Sequence, residues 1–371
     1  MTAMKPVLDL VIDANVVFVL AFCFWSMTHA VIGRSRLASD FALQLRLLRT
    51  VLAFVVLSPI LSYLAMVLSQ TLWPRAPITA SDVAVAVYLR GNIDLSAIRF
   101  EELLDTRDRV TDMVIAGDVP WLTALFGLVG FGVAYLTLKM VLTIRQVNRI
   151  VSQSYTWRRT RTTDIRLSDT VTIPFAARGI WRRHVVLPSY LLTKPRELRI
   201  VLAHEFEHLR QSDVEWELIF EFVRPFLFWN PAFLLWRRAF DRLRELSCDQ
   251  AVIASKRISP REYAQCLLEF CERKPTKRTV EVFNVAFLRT GTSVARQALE
   301  ARVIALGDVR RRDGQNRALQ CFVSGFLAIA IVVTAASVRS PGDWSHDRLM
   351  LSTIVNLERL EAINASFGVR P

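Results

Sequence analysis

The stretch VLAHEFEHLRQSD, residues 201 to 213, decides how the rest of the chain is read. Two histidines, His204 and His208, stand four positions apart, and Glu205 directly follows the first. On a helix this spacing puts both imidazoles on one face with the Glu205 carboxylate beside them. The pattern, H-E-x-x-H, is that of a helix that holds a divalent metal next to a general base. A helix is predicted here from its flanks as well. Thr193 is a candidate cap, Pro195 falls in the first turn, and Leu198, Val201, Leu202 and Leu209 recur at apolar spacing. An ordinary charged helix is the weaker explanation, because a chain with five histidines in 371 residues rarely meets the motif by chance.

Around this helix the chain is unusually apolar, 52% hydrophobic with a mean hydropathy of +0.31. Four runs carry no Asp, Glu, Lys or Arg: residues 14 to 33, 50 to 74, 119 to 138 and 318 to 338. Each is long enough, at about 1.5 Å per residue, to cross a hydrocarbon core of about 30 Å. Four transmembrane helices are expected. The first is read as a retained span and not a cleaved signal, since Asp9 and Asp13 precede it and Lys5 is the only early base. Arg34, Arg36, Arg46 and Arg49 face Asp40 alone in the first loop, which places that loop in the cytoplasm. Both termini are then extracytoplasmic.

The expected organisation is a transmembrane hairpin over residues 1 to 73, with spans at about 14 to 33 and 50 to 73, followed by an extracytoplasmic loop over 74 to 118. A third span covers 119 to 143, a cytoplasmic metallopeptidase domain 144 to 319, a fourth span 320 to 338, and a short extracytoplasmic tail 339 to 371. Residues 144 to 319 hold 32 Lys and Arg against 19 Asp and Glu, an excess equal to the +13 of the whole chain. Topological charge bias and contact with anionic inner-leaflet lipid account for it, so nucleic acid is not an expected partner. The five cysteines are odd in number and lie in membrane or cytoplasmic segments, so free thiols are expected, with Cys266 and Cys271 filling a helix core. Residues 170 to 174 and 184 to 187 read as a strand pair. The aromatic run 216 to 240, punctuated by Pro225 and Pro231, reads as a helical hairpin against the membrane interface, against the third span, or in the core. In the tail, Leu349, Leu351, Ile354, Leu357, Leu360 and Ile363 follow helical spacing and can pack on the external loop or on the membrane.

A hydrolytic zinc site needs three protein ligands and an open position. His204 and His208 supply two. Glu245, in RRAFDRLRELSCDQAVI, is the best candidate for the third, and Asp249 stands one turn on, able to accept the spare ring N–H of a ligand histidine. On spacing alone a surface glutamate competes with this assignment. Glu205 would take a proton from water and pass it to the leaving amine, whereas Glu207 faces elsewhere. His184, Tyr190 and Tyr263 are each candidates to stabilise the oxyanion, with packing or hydrogen bonding the stronger reading.

The runs IPFAARGIWRRHVVLPSYLL, ELRIVLAHEFEHLRQSD and FWNPAFLLWRRAFDRLRELSCDQAVI resemble, in order and spacing over residues 169 to 254, the peptidase domain of the BlaR/MecR-type membrane metallopeptidases. These gluzincin-like proteins are the transducers and antirepressors of β-lactam resistance. The resemblance implies that His204, His208 and Glu245 are zinc ligands, that Glu205 is the catalytic base, and that Asp249 is the aspartate that follows the ligand glutamate. It also implies a protease domain between the third and fourth spans. One departure is large: no lysine occurs after Lys277, so neither the Ser-x-x-Lys sensor domain of that family nor acylation by a β-lactam is expected.

The expected fold is therefore an α-helical integral membrane protein with four transmembrane helices and a mainly α (α+β) cytoplasmic zincin-like metalloprotease domain. The expected function is a zinc-dependent endopeptidase of the bacterial inner membrane, with one Zn2+ per chain. It would cleave a cytoplasmic or membrane-associated protein, such as a transcriptional repressor or itself, in regulated proteolysis. Besides substrate and lipid bilayer, a homodimer is the other partner considered. Two further readings use the same residues: a constitutive quality-control metalloprotease, and a non-catalytic metal-binding receptor or scaffold. The intact Glu205 argues against the last. A transporter is disfavoured because the spans carry no ionisable Asp, Glu, Lys or Arg.

Overall fold

The structure, a computed structural model, describes residues 4–35, 37–72, 80–91, 93–117, 119–179, 181–272, 292–307, 317–338 and 346–366. It divides into two compact units, one of Met1–Trp25, Thr50–Phe131 and Cys321–Pro371, the other of Ser26–Arg49 and Gly132–Gln320.

Two long helices open the chain, α1 (Met4–Gly33) and α2 (Phe41–Leu72), followed by three short ones, α3 (Ala80–Leu89), α4 (Ala97–Leu104) and α5 (Thr106–Ala116). Gly117, in the left-handed region at φ 76°, closes α5 and lets α6 (Pro120–Gln153) start at a proline. The chain ends with α12 (Arg317–Val338) and α13 (His346–Ser366). Among the described residues, three helical stretches are long and apolar enough to cross a membrane: Val11–Gly33, Phe41–Ser58 and Pro120–Gln153. Where the fourth span was expected, α12 forms as a helix whose apolar stretch among the described residues is the shorter Phe322–Ile331.

In the first unit the amphipathic tail and the loop after α2 make one small core. Val85, Ala97 and Phe100 pack with Leu351 and Val355 of α13, and Tyr88 stacks on Phe100 at 4.2 Å. The Glu358 carboxylate accepts from the backbone N–H groups of Ala97 and Ile98, both at 3.2 Å, and so caps the positive end of α4 from another helix. The tail thus packs on the loop.

In the second unit a four-stranded sheet of order β1-β2-β4-β3 is formed by β1 (Tyr155–Arg159), β2 (Thr163–Ser168), β3 (Phe175–Arg178) and β4 (Arg183–Pro188). β1 and β3 are antiparallel to their neighbours, while β2 and β4 run parallel with Thr163 opposite Arg183. Alternation along β4 sends Val186 toward Val147 and Ile150 at the end of α6, and Val185 and Leu187 toward Val201 and Leu209 of α7 (Pro195–Arg210). Val185, Leu187 and Leu191 are fully buried there. Truncating Leu187 to alanine is expected to cost about 2–5 kcal/mol.

The sheet corrects the expected strand pair. Residues 170 to 174 form no strand. Ser168 Oγ lies 3.0 Å from Thr170 Oγ1 and takes the Thr170 N–H, a local turn that ends β2, and the next strand begins only after Pro174. After α7 come α8 (Asp213–Leu227), α9 (Pro231–Ala254), α10 (Pro260–Glu272) and α11 (Thr292–Gly307). Pro225 is accommodated inside α8, and the break falls at Pro231, the first residue of α9, where Asn230 Oδ1 accepts from Ala232 N at 2.9 Å. The aromatic hairpin meets the third candidate span: a Cβ on Gly132 of α6 would lie 2.5 Å from the Phe228 ring. Cys23, Cys248 and Cys266 are free thiols, Cys266 buried as expected, while the Cys271 and Cys321 side chains lie outside the described residues.

Candidate metal centre

Helix α7 presents its apolar stripe to the sheet and its histidine face to α9. His204 and His208 stand edge to face, ring centroids 4.6 Å apart, with their Nε2 atoms 3.1 Å from each other. From α9 the Glu245 carboxylate approaches both, Oε2 at 3.5 Å from His204 Nε2 and Oε1 at 3.8 Å from His208 Nε2. The sequence-predicted residues on these two helices are therefore brought together. Glu205 is 8% exposed, and its side chain takes part in no hydrogen bond or ion pair with another described residue. Glu207 is engaged elsewhere, with Arg210 and Gln211.

Each histidine is held from behind. The helix ends at Arg210, and Ser212, in the left-handed region at φ 59°, turns the chain sharply into α8. That turn brings the first residue of α8, Asp213, back under the last turn of α7, where its Oδ2 lies 2.5 Å from His208 Nδ1. Asp213 was not foreseen from sequence. The signal available was a helix-starting Ser-Asp directly after the zinc-type motif.

Asp249 was expected to accept the spare ring N–H of a histidine directly. The contact is relayed instead. Asp249 Oδ1 is 3.5 Å from His204 Nδ1, and the Tyr263 hydroxyl of α10 stands between them, 2.8 Å from that nitrogen and 2.5 Å from Asp249 Oδ1. Burial and the Asp249 charge push the Tyr263 phenol well up, so it stays protonated and donates to Asp249 while its oxygen accepts the His204 Nδ1–H. Tyr263 thus orients His204 from the nitrogen opposite the one facing His208. His184 lies 3.8 Å from Asp164, and Tyr190 donates to the Thr172 carbonyl at 3.5 Å.

Two arginines flank the glutamate. Arg302 of α11 binds both Asp249 oxygens, at 2.6 and 2.7 Å, and comes within 3.2 Å of Glu245 Oε2, while Arg244 donates to Glu245 Oε1 at 3.1 Å. Burial alone would raise the Glu245 carboxyl, but Arg302, His204, His208 and Arg244 hold it well below the usual carboxylate range. At His208 burial acts to lower the imidazole, and Asp213 with Glu245 more than reverses it. Arg302 and Tyr263 carried no spacing signal, because each reaches the site through the tertiary fold, whereas Arg244 directly precedes Glu245 on α9.

His204, His208 and Cys248 form a group able to hold a metal ion, with one ligand atom from each within 4.8 Å of the others. The Cys248 Sγ, however, lies 3.4 Å from His204 Nδ1 and from the His204 carbonyl oxygen, on the far side of the ring from His208. Burial pushes its thiol well up, keeping it neutral.

A model of the family described as BlaR1 peptidase M56 matches residues 17–306, more than three quarters of the chain and all of the cluster around α7 and α9. No curated protein matches. Peptidases of this kind are membrane-associated, metal-dependent and act on protein, in keeping with the apolar helices and the histidine cluster. On that match, the chain belongs to the BlaR1 peptidase M56 family.

Proposed function

We propose that this chain is an integral-membrane zinc endopeptidase in which His204, His208 and Glu245 hold one zinc ion and Glu205 is the catalytic base. The observation that carries the reading is the direction of the two rings. Each has its Nδ1–H on a backing acceptor, Asp213 or Tyr263, which turns two Nε2 lone pairs toward each other at 3.1 Å. Only a proton or a cation between them makes that arrangement favourable. Tetrahedral zinc with ordinary Zn–N bonds separates its ligand atoms by about 3.3 Å, near the 3.1 Å between the two Nε2 atoms; Glu245 stands at 3.5 Å from the first through one oxygen and at 3.8 Å from the second through the other. The donor set, two imidazoles and a carboxylate, is that of catalytic zinc. Cys248 meets the wrong nitrogen of His204 to share that ion.

A bound zinc ion supplies Lewis-acid polarisation of the scissile carbonyl. Glu205, buried on α7 directly after His204 and in no ion pair among the described residues, accepts a proton from the attacking water and delivers it to the leaving amine nitrogen. Asp213 and the Tyr263–Asp249 pair hold the two imidazoles in the tautomer that presents Nε2. β3, an edge strand packed beside α7, offers backbone groups on which an extended substrate pairs.

In this reading α12 is a fourth span, residues 144 to 319 face the cytoplasm of a bacterial inner membrane, and the substrate is a repressor-like protein or the chain itself, cleaved in regulated proteolysis. The charge excess of residues 144 to 319 supports the orientation. The test compares the purified protein with Glu205→Gln by zinc content and by mass spectrometry of fragments. Stoichiometric zinc in both, with fragments from the unmodified protein alone, is expected. Fragments from the Glu205→Gln protein would remove Glu205 from the mechanism, and a lack of zinc in both would remove the metal.

A further inference from the structure

The second oxygen of Asp213 has a partner that the metal centre itself does not require. Arg49, on α2, directs one terminal nitrogen at Asp213 Oδ1 and the other at the Gln211 carbonyl at 2.8 Å. The opposite oxygen of the same carboxylate holds His208 Nδ1. The Arg49 and Asp213 side chains are 9% and 3% exposed, so the line from Arg49 through Asp213 to His208 is buried. Arg49 is further confined between aromatic rings, 5.7 Å from the Trp216 centroid and 5.6 Å from that of Phe240. A second tie joins the same region to α9. Gln250, next to Asp249, donates to the Ser39 carbonyl at 3.0 Å, in the turn between α1 and α2. The start of α2 and the turn before it therefore touch α9 and the turn that closes α7, and these are the two helices that carry the proposed ligands.

Resting on the reading of His208 as a metal ligand, we infer that Arg49 is a positioning residue: it fixes Asp213, and through it the His208 ring, so that the placement of α2 sets the geometry of the metal centre. The argument is geometric. The Arg49 fork spans the left-handed turn at Ser212, gripping the carbonyl before it and the side chain after it. A carboxylate held at both oxygens cannot rotate, so the acceptor for His208 Nδ1 is fixed in direction as well as in place. The His208 backbone is secured within α7, whereas Asp213 opens a new helix after a two-residue turn. A displacement of α2 thus moves Asp213 relative to His208 and tilts the ring. Residues Phe41–Ser58 of α2 are apolar enough to span a membrane, which makes this a direct mechanical link from a membrane helix to a ligand.

The test uses the full chain in detergent with Co2+ in place of zinc, reading the visible d–d spectrum, the affinity by chelator competition and the thermal midpoint. Arg49→Gln is expected to shift the spectrum and weaken binding by roughly tenfold, the lower end of what partners outside the ligand set contribute. The Arg49→Gln, Asp213→Asn pair is expected to bind no more weakly than Asp213→Asn alone, since Arg49 acts through Asp213. Arg49→Lys, which keeps the charge and loses the fork, is expected to fall between. An unchanged spectrum and affinity in Arg49→Gln overturns the inference, as does strict additivity in the pair. Where the glutamine variant does not fold, an unchanged Arg49→Lys does the same. An unmodified protein that takes up no Co2+ overturns the ligand assignment on which the inference rests, an outcome distinct from all of these.

Discussion

Replacing Arg302 by methionine removes a buried charge from the centre while leaving every proposed ligand in place. The guanidinium makes a two-pronged contact with Asp249, at 2.6 and 2.7 Å, and a third with Glu245 at 3.2 Å. Arg302, Asp249 and Glu245 have side-chain exposures of 14%, 2% and 12%, so none of the three is well hydrated. Breaking a buried pair by removing one partner costs about 3–5 kcal/mol, because the remaining carboxylates stay desolvated without a counter-charge. For a folding unit of 150–250 residues each kcal/mol moves the thermal midpoint by about 2–4 °C, so Arg302→Met is expected to lower it by roughly 6–20 °C. The assay is thermal unfolding of the full chain in detergent, with and without chelator. A bound divalent ion compensates Glu245 and not Asp249, so the drop is expected to be larger in chelator than with metal present. Adding Asp249→Asn, which needs no counter-charge, is expected to restore part of the loss. A drop of less than about 2 °C in chelator, or exact additivity of the two changes, would refute the pairing as an energetic unit.

Three further outcomes follow from the geometry. Cys248→Ser is expected to leave zinc affinity unchanged, and Glu245→Gln to lower it by more than the roughly 10–100-fold that outer partners contribute; the reverse order, read by chelator competition, would make the thiol the third ligand. The His208 imidazole titrates above 6.5 in the metal-free protein, since Asp213 and Glu245 outweigh burial. Its contribution to stability is therefore complete below 6.5 and lost as pH rises through the elevated value. Metal needs the same lone pair, so zinc affinity is expected to climb with pH across that window with release of a proton, and a flat profile by titration calorimetry would count against it. Ser212→Gly relieves the left-handed strain at φ 59° and is expected to stabilise by about 0.5–1 kcal/mol, whereas Ser212→Val is expected to destabilise; a lower midpoint for the glycine variant would contradict this.

The parts of the site that were legible in sequence are those set by one helix. His204, Glu205 and His208 follow from the 3.6-residue period alone, and the tail helix and the long apolar helices follow from runs of one character. β1 and β2 were not legible, because YTWRRTRTTDIRLS is too rich in arginine to show an apolar alternation, and β1 is exposed along its whole length. The strand expected at 170 to 174 failed for a local reason, the Ser168–Thr170 turn. Asp249 lies 3.5 Å from His204 Nδ1, yet its contact with that ring runs through Tyr263, which lies 59 residues from that histidine. Arg302 and Arg49 reach their aspartates over 53 and 164 residues. No spacing rule predicts such pairs.

Those long-range arginines raise the question of what a buried charge contributes around a metal centre. Arg49, Arg244 and Arg302 have side-chain exposures of 9%, 12% and 14%, and each pairs with an acid that is itself a proposed ligand or holds one. Desolvation offsets most of the attraction in such pairs, so their net contribution to stability is small even though breaking one is costly. An apolar core would serve the fold as well. What an apolar core does not do is fix the rotation of a carboxylate or an imidazole, and that is what Asp213, Asp249 and Glu245 receive from their arginines. Stability and metal affinity should therefore separate in the Arg302→Met, Asp249→Asn protein: the thermal midpoint recovers in part because position 249 no longer strands a charge, while zinc affinity stays low because the Tyr263 relay and Glu245 have lost the groups that aim them. Recovery of both together would mean that the arginine serves the fold alone.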